Sequence, residues 1–140
     1  MFDRILVTGA AGFVGYHLLQ VLASRADASA RLFAAQRTHV VLPSTRCELI
    51  RLDITDPEQV KAAIRETRPT CVVHLAAISA PRVAARGPRH TFDVNVAGTL
   101  NLAAAILQDA PEARFLFIGT SEVYGGSFQR CTSRLMKPPY

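Results

Sequence analysis

The stretch Arg4-Ile5-Leu6-Val7-Thr8-Gly9-Ala10-Ala11-Gly12-Phe13-Val14-Gly15, near the start of the 140-residue chain, decides how the rest is read. Arg4 to Thr8 is a short β-rich run that ends in a glycine. Val14, Leu18, Val21 and Leu22 then recur at the i, i+4, i+7, i+8 spacing of an amphipathic helix. The spacing predicts a strand, a glycine-rich turn and a helix.

The same alternation continues along the chain. Residues 31–35 and 47–52 predict a second and a third strand, joined by a loop containing Pro43. Asp56 then caps a helix: Pro57 at the first helical position loses no needed N–H, and Gln59 stands where a capping box wants it. Val60, Ile64 and Thr67 form its inner face, and Pro69 ends it. Residues 70–75, Thr-Cys-Val-Val-His-Leu, predict a continuous apolar strand of the kind buried on both faces. A loop rich in Pro, Arg and Gly, residues 81–90, leads to a helical pattern over 92–108 with Val96, Leu100, Ala103 and Leu107 on one face. Pro111 stops it, and residues 114–118 give a fifth strand that ends at Gly119. Strands alternating with helices require right-handed crossovers, so the fold expected is α/β with a doubly wound parallel sheet.

Composition bounds the function. With 49% hydrophobic and 19% charged residues, the chain builds one soluble core, and a disordered, collagen-like or coiled-coil chain is excluded. The net charge of +5 comes from 16 basic and 11 acidic side chains, and Arg130, Arg134 and Lys137 alone supply +3 of it, so the body is nearly neutral. The one internal basic cluster, Arg82, Arg86 and Arg89, lies among Ala, Gly and Pro without interleaved aromatics, which argues against a nucleic-acid partner. Cys47, Cys71 and Cys131 are odd in number and far apart, without a C-x-x-C or a histidine at ligand spacing. They read as reduced thiols of a cytoplasmic protein, with no metal site. Residues 5–24 carry no formal charge, but Thr8, Gly9, Gly12, Gly15, His17 and Gln20 break any continuous apolar run, so neither a membrane span nor a signal segment is expected.

In doubly wound folds ligands sit outside the carboxyl ends of the strands, which points to the residues after Val7, Leu75 and Ile118. At the first of these, Gly9 permits a tight turn, Gly12 lets the backbone approach a pyrophosphate, and Gly15 lets the helix pack closely on the sheet. The helix start adds N–H donors and partial positive charge for the phosphates. The plainer alternative is a purely structural turn. If the ligand is a nicotinamide dinucleotide, its ribose specificity is read roughly 20 residues on, where an acid bonds the ribose hydroxyls and an arginine accepts a 2′-phosphate. Here that position reads Gln36-Arg37, so NADP is favoured and NAD is the alternative; Arg37 as a solvated charge is the bland reading.

With these residues quoted, the sequence resembles the extended short-chain dehydrogenases/reductases, the NAD-dependent epimerases and dehydratases that modify nucleotide sugars. Thr8 to Gly15 is similar to their T-G-x-x-G-x-x-G motif, and Asp53-Ile54-Thr55-Asp56 to the acidic turn that meets the adenine. His74-Leu75-Ala76-Ala77 is similar to their fourth-strand end, Asn95-Val96-Ala97-Gly98-Thr99 to their helix motif, and Thr120-Ser121-Glu122-Val123-Tyr124-Gly125 to their active-site segment after the fifth strand. The last motif and residues 91–102 are most similar to the GDP-mannose 4,6-dehydratase and GDP-4-keto-6-deoxymannose reductase branch. The resemblance implies a Rossmann-type sheet whose dinucleotide meets Gly9, Gly12, Phe13, Val14, Gly15, Arg37, Asp53, Ile54, Leu75, Ala76, Ala77 and Asn95. It implies that Ser79, Thr120, Ser121 and Glu122 touch the nucleotide-sugar substrate. The Thr120 hydroxyl would hold the sugar C4 oxygen during hydride passage, and Glu122 would take the C5 proton in a dehydratase or only bind in a reductase. The bland readings are a core histidine for His74, an ordinary turn for Asp53, structural support for Asn95 and a packing role for Tyr124.

The resemblance breaks at the family's Tyr-x-x-x-Lys acid/base pair. Tyr16 is followed four residues on by Gln20 and Tyr124 by Phe128, while Lys137-Pro138-Pro139-Tyr140 is similar to the approach to that motif and would make Tyr140 its tyrosine. Residues 1–125 are therefore expected to form the dinucleotide-binding domain, and 126–140 a divergent segment, with the sheet ending after about five strands. The chain as it stands is expected to bind cofactor without turnover; the alternative is a non-catalytic dinucleotide-binding module. A bare fifth strand implies a homo-oligomer.

Overall fold

Because side chains alternate along a strand, the apolar residues of the parallel sheet sort into two cores, one on each face. The computed structural model describes residues 2–38 and 42–120. Strands β1 (Arg4–Thr8), β2 (Arg31–Gln36), β3 (Cys47–Arg51), β4 (Cys71–His74) and β5 (Arg114–Phe117) pair in the order β3-β2-β1-β4-β5, all parallel. Ile5, Val7, Leu32, Ala34 and Val73 meet Leu19 of helix α1 (Phe13–Arg25) on one face. Leu6, Phe33 and Val72 meet Val60 and Ile64 of α2 (Pro57–Thr67), and Leu102 and Ile106 of α5 (Gly98–Asp109), on the other. The chain runs outward from β1 in one direction through β2 and β3, then returns to build β4 and β5 on the other side. The strand order therefore reverses between β1 and β4, where Thr8 stands in register with His74. That is the doubly wound arrangement with its switch point.

Helix α5 turns a different face inward from the one its apolar side chains predict, and α1 buries only part of the predicted stripe. In α1 the buried residues are Gly15 and Leu19, with Leu18, Leu22 and Ala23 packed beside them, while Val14 and Val21 are 60% and 48% exposed. In α5 the inner line is Gly98, Leu102, Ala105 and Ile106, and Leu100 and Leu107 are 63% and 74% exposed. The cause is the same in each. A Cβ on Gly15 would overlap the Gly9 carbonyl oxygen, and one on Gly98 would stand 2.7 Å from Cδ1 of Ile54. Close approach of the glycine, to the backbone of the turn at Gly15 and to the Ile54 side chain at Gly98, sets the helix rotation, and the large side chains follow.

Residues 81–90 are not the loop expected. They form two short helices, α3 (Pro81–Arg86) and α4 (Pro88–Phe92), each with proline at its start, and a π-helical turn (Asp93–Ala97) joins α4 to α5. The helical pattern over 92–108 thus begins earlier and contains a wide turn that carries Val96 and Asn95.

Helix α2 keeps the expected inner face, with Val60, Ile64 and Thr67 buried. Asp56 accepts the N–H groups of Glu58 and Gln59 at 3.0 and 3.1 Å. Gln59 does not complete a reciprocal capping box: its amide donates to the Asp56 carboxylate at 2.7 Å, and its carbonyl oxygen accepts the Asp53 N–H at 3.2 Å. The cap therefore also anchors the turn that leaves β3. The helix ends at Arg68, which takes a left-handed conformation with φ of 41°, just before Pro69.

Candidate functional site

Where β1, β2 and β4 end, their last residues and the loops that follow enclose a cavity of about 420 Å³. Gly9 and Gly12 form its floor. Gly9 has φ of +69°, and a Cβ there would lie 2.7 Å from the Ala76 nitrogen and from the Leu75 carbonyl carbon, so the turn is pressed directly against the backbone leaving β4. Only glycine satisfies both conditions. Helix α1 begins at Gly12 with no side-chain cap and no acidic residue in its first turn. The first N–H groups of a helix have no intrahelical acceptor, so this end offers donors and partial positive charge to the cleft.

Residues 75–78, continuing from β4, make one wall. Thr8 Oγ1 accepts the N–H groups of Leu75 and Ala76, each at 3.3 Å. Asn95, in the π-helical turn, accepts the Ile78 N–H at 2.8 Å and donates to the Ile78 carbonyl at 3.0 Å. Val83, His90 and Val94 close the opposite side.

The far end of the cleft is polar. Gln36 Oε1 accepts the Ala11 N–H at 3.2 Å, tying the end of β2 to the glycine turn. Asp53 Oδ1 accepts the Thr55 N–H at 3.0 Å and the Thr55 hydroxyl at 2.8 Å. The Thr55 amide, its hydroxyl and the Arg37 guanidinium together hold the Asp53 carboxyl below the ordinary carboxylate range. Beyond Gln36 and Arg37 the cleft adjoins a second cavity of about 430 Å³, which Leu49 and Arg51 also line. Arg51 is the register partner of Gln36 across the β2–β3 pair.

Eight residues expected to meet a dinucleotide, Gly9, Gly12, Arg37, Asp53, Ile54, Leu75, Ala76 and Ala77, line this one cavity. Phe13 and Val14 are not part of its lining and are 82% and 60% exposed. Gly15 is buried behind the turn, and Asn95 acts through the backbone of Ile78. Ser79 and Thr120 are exposed and outside the lining. Ser121, Glu122, Tyr124 and Tyr140 lie outside the described residues, as does Cys131. Thr8, Ile78, Val83, His90 and Val94 line the cleft without having been singled out. A strand-end hydroxyl one residue before Gly9 could have flagged Thr8, whereas Val83 and His90 were hidden in a segment read as loop.

Burial raises the thiols of Cys47 and Cys71 above their ordinary value. Among the described residues no group of three or more His, Cys, Asp or Glu side chains could hold a metal ion, and no helix is long and apolar enough to cross a membrane.

Known proteins share this arrangement. Over 127 residues the chain is 37% identical to UDP-glucuronic acid decarboxylase 1 of Arabidopsis thaliana, covering 87% of this chain and 27% of that enzyme. It is 34% identical over 125 residues to GDP-6-deoxy-D-mannose reductase of Pseudomonas aeruginosa, covering 89% of this chain and 36% of that one. Among solved structures, UDP-glucose 4-epimerase of Thermus thermophilus in complex with NAD superposes with a TM-score of 0.67 at 35% identity, over 75% of this chain and 34% of the other. The chain thus spans about a third of the length of these relatives. Their names divide between UDP and GDP sugars, so the similarity does not single out the GDP-mannose branch. With residues 5–139 matching the model of that family, a glycine turn, wall and polar end meeting at the switch point of a Rossmann-type sheet belong here to a member of the NAD dependent epimerase/dehydratase family.

Proposed function

We propose that this chain is the cofactor-binding part of an NAD(P)-dependent nucleotide-sugar enzyme of the dehydratase, reductase or epimerase type, with residues 1–125 as its dinucleotide-binding unit. The observation that carries the reading is the convergence of the Gly9 turn, the uncapped start of α1 and the backbone wall of residues 75–78 on one cavity. A pyrophosphate would be held by the first-turn N–H groups of α1, and the adenosine by Gln36, Asp53 and Ile54. When bound, the nicotinamide supplies a hydride acceptor and donor. The chain's own part is to orient it and keep the wall in place.

NADP is the preferred form in this reading. No carboxylate stands at the end of β2 to clasp a ribose diol, and Gln36 already holds the Ala11 N–H through its carbonyl oxygen. Arg37 and Arg51 line the adjoining cavity, and a guanidinium from either would suit a 2′-phosphate. The similarity of the segment from Thr120 to Gly125 favours a GDP-mannose-type sugar, with Thr120, Ser121 and Glu122 toward the substrate. The lack of a lysine four residues after Tyr16 or Tyr124 favours a second reading, a module that binds dinucleotide and turns nothing over. Leu116, Phe117 and Ile118, 52–54% exposed on and beside β5, support self-association, and the buried thiols suit a reducing, cytoplasmic setting.

Titrating the chain with NADPH and NADH by nicotinamide fluorescence tests the proposal. NADPH is expected to bind about tenfold more tightly, and Arg37→Ala or Arg51→Ala to erase that difference. Tighter NADH overturns the NADP preference, and no affinity for either overturns the cofactor reading. Turnover of a GDP-4-keto-6-deoxy sugar would remove the non-catalytic module; binding without turnover would support it.

A further inference from the structure

The cleft wall is held at two points, by Thr8 on Leu75 and Ala76 and by Asn95 on Ile78, and one buried side chain stands between them. His74 Nδ1 lies 2.7 Å from Thr8 Oγ1, and its Nε2 lies 2.9 Å from Thr99 Oγ1. The direction of every proton follows from hydroxyl valence. The Thr99 hydroxyl donates its single proton to the Asn95 carbonyl at 2.8 Å, so Thr99 Oγ1 must accept from His74. The imidazole therefore carries its proton on Nε2, and the bare Nδ1 accepts the Thr8 hydroxyl proton. The two lone pairs of Thr8 Oγ1 are taken by the Leu75 and Ala76 amides, the Leu75 N–H being shared with the Thr8 carbonyl oxygen at 3.3 Å. Each donor in the chain has an acceptor, and both lone pairs of Thr8 Oγ1 are engaged.

We propose that His74 is a positioning residue for the cleft: as a neutral imidazole protonated on Nε2 it joins the two clamps on residues 75–78, and the wall keeps its form only while that ring is uncharged. Charging the ring would put a second N–H against Thr8 Oγ1, whose lone pairs are already engaged, so one wall amide would have to give way. The significance for cofactor rests on the reading of the cleft given above; the coupling of wall to imidazole does not.

Among the described residues no charged group is bonded to or stacked on the ring. The neighbours of the ring are Thr8 from β1, Thr99 from α5, and the rings of Phe115 and Phe117 from β5, with centroids 6.1 and 6.0 Å away. None of these titrates near neutrality. Burial alone holds the His74 proton affinity below its ordinary value of 6.5. The sign follows: the unfolded chain takes up the proton near 6.5 and the folded chain only at lower pH. The contribution to stability is complete above 6.5 and is lost as pH falls toward the folded value.

The test uses the full 140-residue chain without cofactor, labelled with nitrogen-15. At pH 8 the His74 ring shifts are expected to report the Nε2–H tautomer. Between pH 8 and 5, protection of the Leu75, Ala76 and Ile78 amides, corrected for intrinsic exchange, should fall about tenfold in step with His74 charging, while α2 amides stay protected. Because His74→Ala could simply unfold, the partner carries the mutational arm. Thr99→Val should loosen the same amides at pH 8, and Thr99→Ser should restore them. An Nδ1–H tautomer, wall amides indifferent to His74 charging, or Thr99→Val behaving like Thr99→Ser would overturn the proposal. Titrating the same samples with NADPH and NADH separates the two readings: a pH-coupled wall without cofactor affinity removes the cofactor site and leaves the relay. Cofactor affinity with a wall insensitive to pH does the reverse.

Discussion

Helices α1 and α2 both start at the carboxyl edge of the sheet, one after β1 and the other after β3, yet their first turns are finished in opposite ways. At α2 the Asp56 carboxylate takes two backbone N–H groups, Pro57 removes the need for a third, and Glu58 places an acid in the first turn. At α1 the capping position is Gly12, which has no side chain, and no acid follows. The first arrangement satisfies the helix from within; the second leaves donors and positive dipole facing a cavity. Nothing in local stability favours an uncapped end over a capped one. The difference is that the donors of α2 are used within the chain, whereas those of α1 are left open toward the cleft proposed above to take a dinucleotide.

The comparison can be broken most sharply at the turn. Gly9→Val combines a positive φ with a Cβ that meets the backbone of β4, and should cost about 3 kcal/mol in urea unfolding. NADPH affinity should fall at least about a hundredfold; a folded variant with unchanged affinity would mean the cleft is not the site. At the other helix, Asp56→Ala should lower Tm by about 4 °C, while NADPH affinity stays within about twofold. Equal damage to both would erase the distinction between a structural and a functional helix start.

Acid sharpens it. Backbone donation from Gln59, its side-chain amide and the Glu58 N–H hold the Asp56 carboxyl below its ordinary value of 3.8. Its contribution is therefore present above 3.8 and is lost as pH falls through the depressed value. Hydrogen exchange should show the first turn of α2 fraying there, with no matching acid step from a cap at α1. The smallest effect lies at the far end of α2. Arg68 holds a left-handed φ of 41°, and Arg68→Gly should stabilise by about 0.5 kcal/mol in thermal unfolding without touching the cleft.

Much of this was legible in the sequence because the residues responsible act locally. The strand runs, the Asp56-Pro57 helix start and the glycine turn each state their geometry within a few residues. The inner face of α5 and half of that of α1 escape the apolar pattern because Gly98 and Gly15 lie on them, and a residue without a side chain carries no weight in such a pattern. Prolines and arginines disguised α3 and α4 as loop, although proline at a helix start is favourable, and this hid Val83 and His90 from the site. Asn95 is expected to meet the dinucleotide, with structural support as the plainer alternative, and its bonds to Ile78 are compatible with support. That it shares a proton chain with Thr8 depends on His74, 66 positions beyond Thr8, and Thr99, 25 further on, meeting in the fold.

That separation carries a consequence for how the molecule comes together. The Gly9 turn forms from neighbours in sequence, but its wall exists only after β4 has docked beside β1 and α5 has delivered Thr99. Contacts of such span are slow to close, so the cleft is expected to mature after the turn itself during folding. A dinucleotide would then act as a folding ligand: it meets no complete site on a partly folded chain. Every molecule it binds is withdrawn from the unfolding equilibrium, by RT ln(1 + [L]/Kd).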